Sequence, residues 1–154
     1  MKDKINSVID KTTVIMPLGG LGTRAKKYTK GRYSKFLIPL SRNFTVLDLV
    51  IQSLLKIGFK KYIFCIGTLF PGELVETVMS YKSTFDSLGC KYRISYERKL
   101  LGGVGAYNKA LSHINISNPV ISVPGDMFLP WESLVKLVEF HLDNNSDVTI
   151  GLTS

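Results

Sequence analysis

Three continuously apolar runs and one alternating run mark out the strands of this chain. Thr12-Thr13-Val14-Ile15-Met16 is short, apolar and rich in β-branched residues, the pattern of a strand buried on both faces. Lys61-Tyr62-Ile63-Phe64-Cys65-Ile66, ended by Gly67, and Pro119-Val120-Ile121-Ser122-Val123 have the same character. Tyr92-Arg93-Ile94-Ser95-Tyr96 alternates instead, as an edge or half-buried strand does. Between them the period lengthens to that of helices. Val46, Leu49, Val50, Leu54 and Ile57 share one helical face, with Thr45-x-x-Asp48 spaced as a capping box and Gly58 as the stop. A Pro71-Gly72 turn leads into a second helix reaching about Tyr81, carried by Leu74, Val75, Val78 and Met79. The Gly102–Gly105 turn feeds a third helix, Ala106 to His113. A fourth opens at Pro130, buries Leu134, Leu137, Val138 and His141, and ends at Asn144-Asn145-Ser146. Asp147 to Leu152 reads as a last strand, and residues 1–11 as a polar, frayed lead-in to a domain over 12–154.

Strands alternating with helices in this way predict an α/β fold of right-handed βαβ units with a mostly parallel sheet. In such sheets ligands bind beyond the C-terminal ends of the strands, near the point where strand order reverses. The glycine-rich stretches 19–22 and 102–105 and the pair Gly125-Asp126 all follow predicted strands, so all fall at that end. No internal repeat, linker or low-complexity run interrupts the pattern.

Composition narrows the class. At 154 residues with 45% hydrophobic content, the chain fits one globular domain with a continuous core. No apolar run approaches the roughly 20 residues that span a bilayer. The polar start Met1-Lys2-Asp3-Lys4 lacks an apolar signal core, which points to a cytoplasmic protein. Cys65 and Cys90 have neither metal-site spacing nor a nearby histidine, and read as reduced, buried thiols. The net charge of +8 raises nucleic acid as a partner, but the cations are dispersed and no recognition motif accompanies them. Lys26, Lys27, Lys30, Arg32 and Lys35 alone cluster, beside the first glycine loop. A local positive field around an anionic ligand accounts for that cluster.

The chemistry gathers in Leu18-Gly19-Gly20-Leu21-Gly22-Thr23-Arg24. Three glycines in four positions let the backbone approach a ligand closely and leave its N–H groups free for phosphate oxygens. Thr23 adds a hydroxyl, Arg24 a guanidinium fork, and Lys35 a second cation. The stretch lacks the Gly-Lys-[Ser/Thr] ending of a P-loop. Gly20-x-Gly22-x-x-Ala25 does match the loose dinucleotide fingerprint, which keeps a dinucleotide-dependent oxidoreductase as an alternative. That fingerprint demands a sheet-packed helix directly afterwards, and residues 26–33 carry a glycine, four cations and no apolar stripe. Asp126, just after a buried strand, has the two readings of a Mg²⁺ ligand and of a turn-capping residue. Glu97 reads as surface charge and Asp48 as a helix cap; His113 and His141 have no nucleophile or metal partner in view.

Gly19-Gly20-Leu21-Gly22-Thr23-Arg24 followed by Ser34-Lys35-Phe36-Leu37-Ile38-Pro39 resembles the signature of sugar-phosphate nucleotidylyltransferases. Leu101-Gly102-Gly103-Val104-Gly105-Ala106 and Val123-Pro124-Gly125-Asp126 resemble two later motifs of that family, in the family's order. Leu18, Ser34, Phe36 and Pro124 depart from it. The resemblance implies a Rossmann-like three-layer α/β/α fold and transfer of a nucleotidyl group from a nucleoside triphosphate to a sugar 1-phosphate, with pyrophosphate leaving and Mg²⁺ as cofactor. It implies catalytic roles for Arg24 and Lys35, and a metal ligand in Asp126. Nucleotide contacts fall to Leu18, Gly19, Gly20, Gly22, Thr23, Gly102 and Gly103. Family chains run on past the point where this sequence stops, supplying further site residues. The domain is therefore expected to be incomplete at its C-terminus, with a homo-oligomer or a complementing C-terminal segment as its partner. The alternative is a nucleotide-binding module without turnover.

Overall fold

The computed structural model describes residues 2–99, 102–114 and 118–151. Its centre is a four-stranded sheet in the order β5-β4-β1-β6, built from β1 (Thr13–Leu18), β4 (Lys61–Ile66), β5 (Lys91–Tyr96) and β6 (Val120–Ser122). All three pairings are parallel. The chain leaves β1 through α3 (Val46–Ile57) to β4, then through α4 (Pro71–Ser80) and α5 (Lys82–Ser87) to β5. It returns through α6 (Gly102–Leu111) to β6 on the far side of β1. Strand order therefore reverses between β1 and β6. That reversal opens a crevice between their loops.

The two faces of the sheet are covered unequally. Val14, Met16, Leu18, Tyr62, Phe64 and Ile66 point to the thicker side, where α3, α4, α5, α7 (Trp131–Asp143) and α1 (Lys2–Lys11) complete the main core. Ile15, Ile63 and Cys65 point the other way and are capped by Ala106 and Ala110 of α6. Continuous burial on both faces explains why β1 and β4 carry no polar alternation. The edge strand β5 alternates and is only half buried, as its sequence predicts.

Several local details differ from the sequence reading. Residues 2–11 are a helix, not a frayed lead-in, because Ile5, Val8 and Ile9 form an apolar stripe whose two isoleucines are buried in the core. Pro71-Gly72 forms the first turn of α4 rather than a turn before it; proline at N1 forfeits no helical hydrogen bond. Helix α5 has no apolar period to reveal it; its single anchor, Phe85, is fully buried between Tyr62, Phe64, Tyr81 and Tyr92. Helix α6 starts at Gly102 and so takes in the glycines expected to form the turn before it. Residues 147–151 form no strand: Val148 and Ile150 stay three-quarters exposed, and no strand among the described residues receives their backbone; Leu152, the end of the expected strand, lies outside the described residues. The extended piece that the sequence suggests at Leu37–Leu40 is part of a small antiparallel pair, β2 (Pro39–Ser41) with β3 (Phe44–Thr45), which leads into α3. There the capping box forms as read, Thr45 and Asp48 exchanging hydrogen bonds.

Candidate active site

Register brings the candidate residues to one rim. Leu18 of β1 lies opposite Ile66 of β4, and Ile66 opposite Tyr96 of β5, so these three strands end level. Their loops emerge side by side. Gly67 donates its amide to the Leu18 carbonyl at 3.2 Å, and Glu97 donates its own to the Ile66 carbonyl at 2.9 Å. Beyond β6, Val123 still bonds the Ile15 carbonyl at 3.0 Å, which carries Gly125 and Asp126 up to the same rim.

At the β1–β4 side the packing is backbone against backbone. A β-carbon on Gly67 would stand 2.6 Å from the Cα of Gly19, closer than any side chain tolerates. Gly20 and Gly22 take φ of 104° and 58°, in the left-handed region that favours glycine. From Gly22 the chain enters a short 3-10 turn, Thr23–Ala25, and then a four-residue helix α2 (Lys26–Thr29), of which Thr29 alone is buried. No sheet-packed helix follows the loop, so the dinucleotide fingerprint lacks its structural half. Thr23 and Arg24 are exposed, and the Arg24 side chain has no ion-pair partner among the described residues.

At the β6 side, side chains do the positioning. Lys35 Nζ lies 2.6 Å from Asp126 Oδ2, an ion pair between positions 91 residues apart, with each side chain about one-third exposed. Ser34 caps the 3-10 turn that carries Lys35, accepting from the Phe36 amide at 3.4 Å. The lysine ammonium also stands over the Phe36 ring at 4.9 Å. Gly125 rests on the buried side chains of Leu18, Phe36 and Leu47, with the Leu18 methyl occupying the place a β-carbon would need. Lys35 and Asp126 are thus held on one apolar pedestal.

Helix α6 approaches from the thin face. The Cys65 thiol lies 4.0 Å from the Ala106 carbonyl, which puts the first turn of α6, with Gly102 at φ 68°, above the ends of the strands. Gly103 falls within this helix; Leu101 lies outside the described residues. Burial, and secondarily the Glu97 carboxylate, pushes the Cys65 thiol up to about 11, partly offset by Lys109.

Two rim residues carry no motif signal. Gly67 reads from sequence as no more than a strand end, and Glu97 as surface charge. Yet Glu97 is half-buried, its Oε1 3.4 Å from the point where a β-carbon of Gly19 would stand. Position directly after a strand is the one sequence cue for either. The remaining polar candidates are structural. Asp48 caps α3 and accepts from Tyr81 Oη at 2.9 Å; burial, and secondarily this hydrogen bond, push that phenol up to about 12. His113 pairs with Arg93 and His141 with Thr149. Both cysteines are free thiols. A hollow of about 280 Å³ lined partly by Lys61, Lys91, Arg93 and His113 lies at the opposite, N-terminal end of the strands and shares no residue with this rim.

Comparison with known proteins gives the family and agrees with the fold. Residues 12–154 match the model of the nucleotidyl transferase family. No curated protein sequence matches the chain. Among solved structures, HddC from Yersinia pseudotuberculosis complexed with GMP-PN aligns with TM-score 0.67 and 25% identity over 85% of this chain and 54% of that one. A protein of Bacillus anthracis assigned as a glucose-1-phosphate thymidylyltransferase, in complex with a sucrose, aligns with TM-score 0.66 and 19% identity, covering 86% of this chain and 50% of that one. A nucleotidyl transferase from Methanothermobacter aligns with TM-score 0.64 and 16% identity, covering 83% and 56%. The chain thus spans about half the length of the structures it matches.

Proposed function

The chain belongs to the nucleotidyl transferase family, and from that premise we propose that it transfers a nucleotidyl group from a nucleoside triphosphate to a sugar 1-phosphate. An oxygen of the acceptor phosphate attacks the α-phosphorus in line; the bond from that phosphorus to the β-phosphate oxygen breaks, and pyrophosphate leaves. The product is a nucleoside diphosphate sugar. Such transfer depends on positioning and charge neutralisation more than on an acid–base residue. The observation that carries the reading is the 2.6 Å pairing of Lys35 with Asp126 at the crevice beside the glycine loop.

In this reading the backbone of Leu18 and Gly19 faces the base, the Leu18 side chain being buried, and the amides of Gly20 and Gly22 with the Thr23 hydroxyl receive phosphate oxygens. Arg24, exposed and without an ion pair, holds the leaving phosphates. Lys35 steadies charge at the α-phosphoryl group. The helix start at Gly102 and Gly103 lies over the nucleoside. Among the described residues no three metal-ligating side chains cluster. Mg²⁺ needs no such cluster, because it is held by one or two carboxylates with phosphates and water. Asp126 is the carboxylate for it, and Lys35 is the cation now resting on that oxygen. When bound, the metal supplies charge neutralisation at the phosphates.

No described helix is long and apolar enough to cross a membrane. The unpaired cysteines fit a reducing, cytoplasmic setting. Because the chain spans about half of its structural neighbours, a second reading is a module that binds the triphosphate and needs a further segment or second copy for turnover. A nucleoside triphosphate with Mg²⁺ is expected to raise the melting temperature, whereas NAD(H) is not. Pyrophosphate release with a panel of sugar 1-phosphates separates the two readings. Stabilisation by NAD(H) alone would overturn both.

A further inference from the structure

The hollow at the N-terminal end of the strands is lined by cations that the transfer step leaves unused. Register builds it. Thr13, Lys61 and Lys91 open β1, β4 and β5 as one row across the sheet, and Arg93 stands two residues further along β5, opposite Ile63. Side chains two apart share a face. All four therefore lie on the thin side, the face of Ile15 and Ile63. Helix α6 covers that face over the two isoleucines through Ala106 and Ala110, and the chain beyond it brings His113 and Ile114 to the wall of the hollow. The start of β5 is left open beside them, with Lys91 and Arg93 exposed.

The charges in this corner are unbalanced. Lys61 and Lys91 stand side by side on neighbouring strands, where like charges repel. Among the described residues no carboxylate lines the hollow, and none of its cations has an ion-pair partner. Lys61 donates to the carbonyl of Lys11, at the end of α1, at 3.4 Å, and Arg93 donates to His113 Nδ1 at 3.2 Å. These partners use one donor of each cation, whereas an ammonium has three and a guanidinium five. Thr13, almost fully buried, adds a hydroxyl at the floor. Donors and positive charge face the hollow with no anion to answer them.

Size and charge narrow the ligand. A volume of about 280 Å³ is at the small end of ligand sites. The cations occupy one corner of the sheet rather than the stripe that a nucleic-acid strand follows. Lys61 and Lys91 are rooted about 5 Å apart across the sheet, and Lys91 and Arg93 about 7 Å apart along β5. Their three charges match the roughly three to four negative charges of two phosphoryl groups. A carboxylate brings only two oxygens and one charge to the same donors. We propose that this hollow is a second anion site and that it takes a compact ligand with two phosphoryl groups, pyrophosphate or a small bisphosphate. The length of β4 puts it about 17 Å from the rim, so one nucleotide does not fill both sites.

Proton NMR of the two histidine rings reads the site directly, because His113 lines the hollow and His141 belongs to α7. Titrating the whole chain with pyrophosphate or 2,3-bisphosphoglycerate should shift the His113 resonances and leave those of His141 in place. The tighter of the two shows whether the phosphoryl groups come joined directly or on a carbon frame. Inorganic phosphate should bind about tenfold more weakly, since it meets fewer of the cations. Lys91→Gln, a change at an exposed side chain, should weaken pyrophosphate binding at His113 by about tenfold. Lys35→Met, on the rim, should leave it unchanged. His113 resonances that do not move, an equal response to sulfate or citrate, or an unchanged titration in Lys91→Gln would overturn the proposal. So would a single-stranded oligonucleotide that binds more tightly and displaces pyrophosphate, which would make the corner a nucleic-acid surface. Each of these outcomes leaves the crevice at the rim untouched.

Discussion

The two halves of the rim are built from different materials. Beside β4, the glycine loop is fixed by main chain against main chain, with Gly67 and Gly19 in contact and no side chain between them. Beside β6, Lys35 and Asp126 are fixed by an ion pair standing on Leu18, Phe36 and Leu47. Backbone contacts are stiff because neither partner can rotate out of the way. An exposed ion pair on a packed base can open and re-form at little cost. The stiff half suits a part of the ligand that only has to be recognised. The adjustable half suits the place where charge moves during reaction.

Substitutions that load each half separately test this contrast, and the largest effect belongs to the stiff one. Gly67→Ala forces its methyl to within 2.6 Å of the Gly19 Cα unless the two loops separate. It should cost about 3 kcal/mol, the upper end for overpacking, in urea denaturation. It should also abolish nucleotide binding. The contrast fails if the variant is as stable as the parent.

The Cys65 thiol, two residues before Gly67, reports on the same half through pH. Its folded value of about 11 lies above the ordinary 9.0, so the folded state keeps the proton while the unfolded chain loses it. The stability this contributes is whole below pH 9 and is lost as pH rises toward 11, by about 3 kcal/mol in full. Comparing the pH dependence of denaturation midpoints for the parent and Cys65→Ala isolates this slope from other titrating groups. Parallel curves would mean that the β4 end opens readily to solvent.

A smaller cost is expected at Gly125. An added methyl there meets the ends of the Leu18, Leu47 and Phe36 side chains, which can rotate where backbone cannot. Gly125→Ala should cost about 1 kcal/mol. A loss equal to that of Gly67→Ala would erase the distinction between the halves.

The smallest change in stability belongs to the ion pair itself. Lys35→Met and Asp126→Asn should each shift denaturation by less than about 0.5 kcal/mol, since both side chains are one-third exposed. Ligand binding should respond far more in the lysine variant. Lys35→Met is expected to weaken triphosphate binding by tenfold or more, the worth of one charge-assisted hydrogen bond. Calorimetric titration beside a denaturation curve reads both numbers from one protein. A variant that unfolds without losing affinity would make the pair structural.

Local pattern was enough to determine the strands β1, β4 and β5, the helix from Val46 with its Thr45–Asp48 cap, and the parallel α/β class, because burial and helical period are written in neighbouring residues. The glycine loop, Lys35 and Asp126 were legible as candidates because phosphate chemistry restricts residue type and spacing. Helix α1 was hidden because three apolar residues in a polar stretch mean little until Ile5 and Ile9 find a core to enter. Residues 147–151 failed as a strand for the converse reason, since strand propensity has no effect without a partner edge. Only tertiary structure could set Lys35 against Asp126 across 91 residues, or bring Gly67 and Glu97 to Gly19. These depend on the register in which β1, β4 and β5 end level, and register is decided by the packing of whole faces rather than by any one segment.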